Sequence, residues 1–69
     1  MIEVIPVERR GAAFVASQAT THDAIVPFPS LEGYTAAPAE VEWLGLTLTL
    51  TVFSKGESHW VKWADLSAD

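Results

Sequence analysis

A mainly β domain, or a small α+β one, is what this 69-residue chain predicts, on three observations. Leucine and threonine alternate strictly from Leu46 to Thr51 and run on into Val52-Phe53, and a period of two belongs to strands. Two glycines follow a basic residue directly, in Arg10-Gly11 and Lys55-Gly56, each between extended apolar runs, as hairpin turns do. All three tryptophans, Trp43, Trp60 and Trp63, fall on or beside the alternating unit. The expectation is a single domain, residues 1–69, of four to five antiparallel strands in an open sheet or an SH3-like barrel, with room for one short helix near 38–44. Closure or near-closure is how so short a chain manages its sheet edges.

Each element has a local reason. Ile2, Val4, Ile5 and Val7 make a first extended segment, and Pro6, which cannot donate to a ladder, predicts a sheet edge or a bulge there. Glu8-Arg9-Arg10-Gly11 reads as its turn and Ala12–Ala16 as the returning strand. In both glycine turns a type I turn followed by a bulge would give the glycine its left-handed position. Gln18 to Asp23 is polar and reads as a loop. Ala24 to Phe28 is a short extended run closed by Pro27 and Pro29, since the residue before each proline is driven to extended conformations. Ser30 to Ala37 reads as turn and loop. From Pro38 to Gly45, proline at a first helical position, Glu40 and Glu42 in a first turn and glycine past the end fit a short helix. The competing reading carries the strand period back through Val41 and Trp43. Asp65 to Asp69 reads as a frayed tail.

The final hairpin admits two registers. With Lys55-Gly56 central in the turn, or Ser54–Glu57 as a four-residue loop, Phe53 faces Ser58, Leu50 faces Val61 and Leu48 faces Trp63. The leucines then share a face with Val52, His59, Val61 and Trp63. A bulge at Gly56 instead sets Leu50 against Trp60 and turns the second strand over. Collecting the aliphatic side chains on one face favours the first. It leaves Thr49, Thr51, Phe53, Trp60 and Lys62 together on the other face, the candidate partner-binding residues, because tryptophan buries a large area at little entropy cost. The alternative is that Val26–Pro29 packs over them as a second core.

Composition narrows the function. The formal net charge is −5 and there is no cysteine. Disulfides are excluded, and zinc would have only His22, His59 and carboxylates to draw on. Packing and self-association remain as sources of stability for so short a chain, so a homo-oligomer is expected. Four cations against nine acids argue against DNA backbone binding, which needs a basic stripe. The acidic balance suits solubility, or attraction to a basic partner. Met1–Val7 is too short and too acidic for a signal peptide, and no apolar run approaches a membrane span, so the expected compartment is the cytoplasm.

Catalytic constellations are weak. His22-Asp23 are neighbours that rarely point the same way, and Ser58 and His59 fall on opposite faces of a strand, which spoils a triad with Asp65. His59, on the aliphatic face, is expected to be a partly buried ring with a backbone partner. Arg9 and Arg10 are candidates for an anion or an acidic partner. No glycine-rich phosphate loop exists, and no cofactor, metal or enzymatic activity is expected. The expected function is a non-enzymatic protein-binding module, a small acidic inhibitor or adaptor. In size, acidity and lack of cysteine the chain resembles the short inhibitors that phages encode against host proteins, anti-CRISPR proteins among them. That likeness is one of composition and carries no residue role. The competing classes are an oligomer that captures a small ligand or nucleotide, stacking it on Trp60 with Arg9 or Arg10 on its phosphate, and a structural part of a phage-like assembly.

Overall fold

The alternating segment forms one arm of a long hairpin around which everything else is arranged. A computed structural model describes residues 1–16 and 24–67. Its elements are β1 (Ile2–Pro6), β2 (Glu8–Arg10), β3 (Ala13–Val15), β4 (Val26–Phe28), β5 (Thr35–Trp43), β6 (Leu46–Lys55), β7 (Ser58–Lys62) and α1 (Trp63–Ser67). The strands join in one seven-stranded sheet in the order β2-β3-β5-β6-β7-β1-β4, antiparallel except where β3 runs parallel to β5. The fold is therefore mainly β, as expected, and the short helix among the described residues lies at Trp63–Ser67, not near 38–44. It has more strands than the four to five read from the sequence, and its sheet is mixed.

The sheet curls. Val7 alone separates β1 from β2, yet those two strands lie near opposite ends of the sheet order. A flat sheet would keep them far apart. The Phe14 ring on β3 reaches the His59 ring on β7, centroid to centroid 5.0 Å, across the two intervening strands. The result is an open half-barrel. Its interior holds Ile5, Val7, Ala16, Val41, Val52, Val61 and Leu66, with Trp43 and Trp63 packed edge to face at 6.0 Å beside them. Burying such aliphatic side chains contributes roughly 1.5–3 kcal/mol each.

Several elements differ from expectation, each for a physical reason. Residues 38–44 are strand, not helix: β5 pairs with β6 without a break from Thr35↔Ser54 to Trp43↔Leu46. A nine-residue ladder outweighs the helical start signals of Pro38 and the two glutamates. Thr35–Ala37 belong to this strand and not to the preceding loop. Glu8–Arg10 form a strand, and the first hairpin is β2–β3 across Gly11-Ala12, while β1 pairs with β7 and β4. Pro6 is consequently not on an edge strand. It lies past the end of the β1–β4 ladder, where no donor is required of it among the described residues. Residues 63–67, partly read as a tail, form α1 and anchor it through buried Leu66. The loop expected at Gln18–Asp23 lies outside the described residues.

The turns also depart from the bulged form. Lys55 pairs with Ser58, so the two-residue loop is Gly56-Glu57, with Gly56 at φ 63° and Glu57 at negative φ. Gly11-Ala12 repeats that pattern. Glycine first in a two-residue loop is the type II′ arrangement. Phe53 therefore faces Trp60 and Ser54 faces His59. This register differs from both expected ones, by two residues from the first. A slip of two preserves the faces, so the leucine face and the threonine face are divided as the first register has them.

The β5–β6 turn is Leu44-Gly45, with both residues at positive φ, 51° and 78°. A type I′ turn demands that, and leucine is a poor residue for it. Holding a side chain with a Cβ in the left-handed region costs about 1–2 kcal/mol. Replacing Leu44, which is 62% exposed, removes no core contact. Leu44→Asn should stabilise the fold by on the order of 1 kcal/mol with an unchanged denaturant slope, measured by urea unfolding.

Candidate functional site

The outer face of the half-barrel carries a continuous row of rings. Residues opposite one another in a ladder share a face, so Phe53 and Trp60, Pro6 and Trp60, Val4 and Lys62, and Ile2 and Phe28 all lie together. Phe28 meets Trp60 edge-on at 4.9 Å and Tyr34 at 5.6 Å. The Lys62 ammonium stands 5.5 Å from the Phe53 ring centre, and the Lys55 ammonium 5.4 Å from that of Tyr34. Phe28, Tyr34, Phe53, Trp60 and Lys62 are all half-buried, and Lys55 is exposed. Val4 is fully buried yet stands apart from the interior cluster, which marks a small second packing layer beneath this face.

Strand alternation places Thr51, half-buried, and Thr49, exposed, farther along β6 on the same side. The candidate residues Thr49, Thr51, Phe53, Trp60 and Lys62 thus share one face. The Val26–Pro29 segment takes part as well: β4 joins the sheet beside β1, and Phe28 covers one edge of Trp60 without enclosing it. Phe28, Tyr34 and Lys55 extend the face beyond what the sequence indicated. Lys55 is two residues from Phe53, and placing the turn at Gly56-Glu57 assigns it to this side. Tyr34 lies at the end of a turn, its amide donating to the Leu31 carbonyl at 3.2 Å, where no periodic signal exists.

Arg9 and Arg10 are exposed on β2, which pairs only with β3 among the described residues. No ladder connects them to the aromatic face. Arg9 turns back on its own hairpin, with Nε donating to the Gly11 carbonyl at 3.3 Å. The two side chains alternate across the strand, so they do not form one clamp.

On the inner face, Ser54 Oγ and His59 Nδ1 are hydrogen-bonded at 2.7 Å as a cross-strand pair, with Phe14 over the imidazole. The partner of His59 is thus a side chain, where a backbone group was expected. Ser58 is exposed on the opposite face from His59, which keeps it out of any arrangement with that ring. Sequence reasoning missed the Ser54–His59 pair because it depends on the register. Glycine as the first residue of a two-residue turn was the available signal. A serine on Nδ1 with a ring packed over the imidazole is a structural rung between β6 and β7. His22 and Asp23 lie outside the described residues. Among the described residues no three His, Asp or Glu side chains gather as metal ligands, and no helix is long and apolar enough to cross a membrane.

An open groove of about 420 Å³ lies next to the aromatic face, lined by Met1, Ile2, Glu3, Lys62, Trp63 and Ala64. Lys62 belongs to both. No protein-family model, characterised protein or solved structure matches this chain.

Removing the Ser54 hydroxyl leaves the half-buried His59 nitrogen without that partner. Ser54→Ala should cost about 1 kcal/mol in urea unfolding, while Ser58→Ala, at an exposed position, should be nearly neutral.

Proposed function

We propose that this protein is a non-enzymatic protein-binding module, a small acidic inhibitor or adaptor, and that the outer aromatic face is its contact surface. One observation carries the reading: Phe28, Tyr34, Phe53 and Trp60 stand half-exposed in one row on the solvent side of the sheet, while the interior core is filled without them. Large aromatic side chains with few rotatable bonds are what interface hot spots are made of. The flanking lysines sharpen the partner. The chain as a whole is acidic and favours approach by a basic surface. At the face itself Lys55 and Lys62 are two of only four cations, so the groups selected at close range are apolar, aromatic or acidic. Pre-formed ring contacts also lower the ordering cost of binding.

The test uses tagged full-length chain in lysate of the source cell. Wild type should capture a defined partner. Trp60→Ala and Lys62→Glu should each weaken that capture at least about tenfold, the loss of a hot-spot residue, with far-UV circular dichroism unchanged. Arg10→Ala should leave capture intact. A wild-type chain that recovers only itself, or variants that bind as well as wild type, would overturn the reading.

A further inference from the structure

The backbone of β6 has a long free side, and among the described residues it is the one sheet edge without protection. Trp43 and Leu46 flank a two-residue turn and so form a hydrogen-bonded pair. Hydrogen bonding alternates along an antiparallel ladder, so Leu46, Leu48, Leu50 and Val52 direct their N–H and C=O groups to β5. Pro38 opposite Thr51 fits this alternation, since that position needs no donor toward β6. Thr47, Thr49, Thr51, Phe53 and Lys55 direct theirs to the other side. Phe53 and Lys55 meet β7 there, but the β6–β7 ladder ends at Phe53↔Trp60 and the chain turns off into α1 after Lys62. The outward groups of Thr47, Thr49 and Thr51 have no ladder partner among the described residues.

The other edges are blunted. β2 presents Glu8, Arg9 and Arg10; β4 presents Pro27 with Pro29 behind it; the part of β5 beyond the reach of β3 carries Pro38 and Glu40. Charge and proline are the devices that prevent edge pairing. From Leu46 to Val52 there is neither. The leucine face along the same stretch is incompletely covered: Leu46 is 58% exposed and Leu48 and Leu50 are half-buried, while Val52, where the flanking strand is still near, is 3% exposed.

We infer that a second copy of this chain pairs here, β6 antiparallel to β6 about a two-fold axis at Leu48. Leu46-Thr47-Leu48-Thr49-Leu50 reads the same in both directions. Antiparallel pairing with itself therefore puts leucine beside leucine on one face and threonine beside threonine on the other. In this register Thr47 of each chain faces Thr49 of its copy, and both are residues whose hydrogen-bonding groups point outward, so each pair exchanges both bonds. A two-fold interface needs such a self-complementary patch. The inference does not rest on the ring row of Phe28, Tyr34, Phe53 and Trp60; of the candidate partner-binding residues, its register pairs only Thr49.

Charge sets the salt response. Glu42 and Glu40 sit opposite Thr47 and Thr49 on β5, one strand in from the interface on each side. Three strand spacings of about 4.8 Å separate the two glutamate rows, a distance over which they repel at low ionic strength, where the Debye length is about 30 Å, and are screened at physiological ionic strength, where it is about 8 Å. Added salt should therefore strengthen the dimer, whereas it weakens an association driven by opposite charges.

Sedimentation equilibrium over a concentration series, on the full chain, tests this. Wild type should show twice the chain mass, more so as salt rises. Thr49→Pro deletes an outward donor and leaves the β5 ladder intact, and should give the chain mass. The double variant T47K/T49K sets lysines opposite each other across the axis, at positions exposed in the single chain, and should also give the chain mass with a folded circular dichroism spectrum. If Thr49→Pro does not fold, the lysine pair decides. Wild type at the chain mass at its highest soluble concentration, or a folded lysine variant that still dimerises, overturns the inference.

Discussion

The ladder between β5 and β6 is the constraint on which the rest of this structure depends. It is longer than any other pairing in the sheet, and both of its ends pass the sheet on to shorter strands. At the turn end β3 docks on Val41 and Glu42; at the open end β7 docks on Phe53, Ser54 and Lys55. The two docking strands thus attach at opposite ends of the hairpin and on opposite edges. With strand twist acting between them, the sheet wraps into a half-barrel instead of remaining flat. The interior then falls where the wrapped ends face one another, on Val41, Val52 and Val61.

That geometry explains why the aromatic side chains divide into two sets. Trp43 and Trp63 meet inside, near the turn end, where no strand crosses. Phe28, Tyr34, Phe53 and Trp60 gather outside, near the end where β7, β1 and β4 lie side by side. Strand alternation enforces the division between Trp60 and Trp63 across the strand end. Neighbouring aromatics in sequence thereby serve a packed interior and an exposed surface at once.

How far the sequence discloses this depends on the kind of signal. The leucine–threonine period is legible because alternation and burial of one face reinforce each other, and the side assigned to Phe53 and Trp60 follows from it. The hairpin at Leu44-Gly45 is not legible, because leucine is sterically disfavoured at the positive φ the turn requires, and nothing local announces the exception. Pro38 and the glutamates after it carry true helix-start chemistry, overridden by tertiary pairing. β2 is hidden for a related reason: three charged residues read as a turn, and only their place at an edge makes them a strand. Thr49, Thr51, Phe53, Trp60 and Lys62 could be grouped from the period alone. Phe28 and Tyr34 could not, since their positions depend on where the chain between β3 and β5 returns to the sheet.

The insertion of β1 between β7 and β4 ties the first strand to the last one. Val4, Ile5 and Pro6 pair with Trp60, Val61 and Lys62, residues more than fifty positions away. The β5–β6 hairpin can form from neighbours within microseconds, but closing so large a loop is slow and comes at an entropic cost before any contact rewards it. Until then two of the most deeply buried side chains, Val4 and Ile5, remain in water. The first strand therefore carries the longest-range pairing of the described sheet. The return of the N-terminal segment closes the largest loop in the described sheet, whereas the hairpin at its centre closes only local ones.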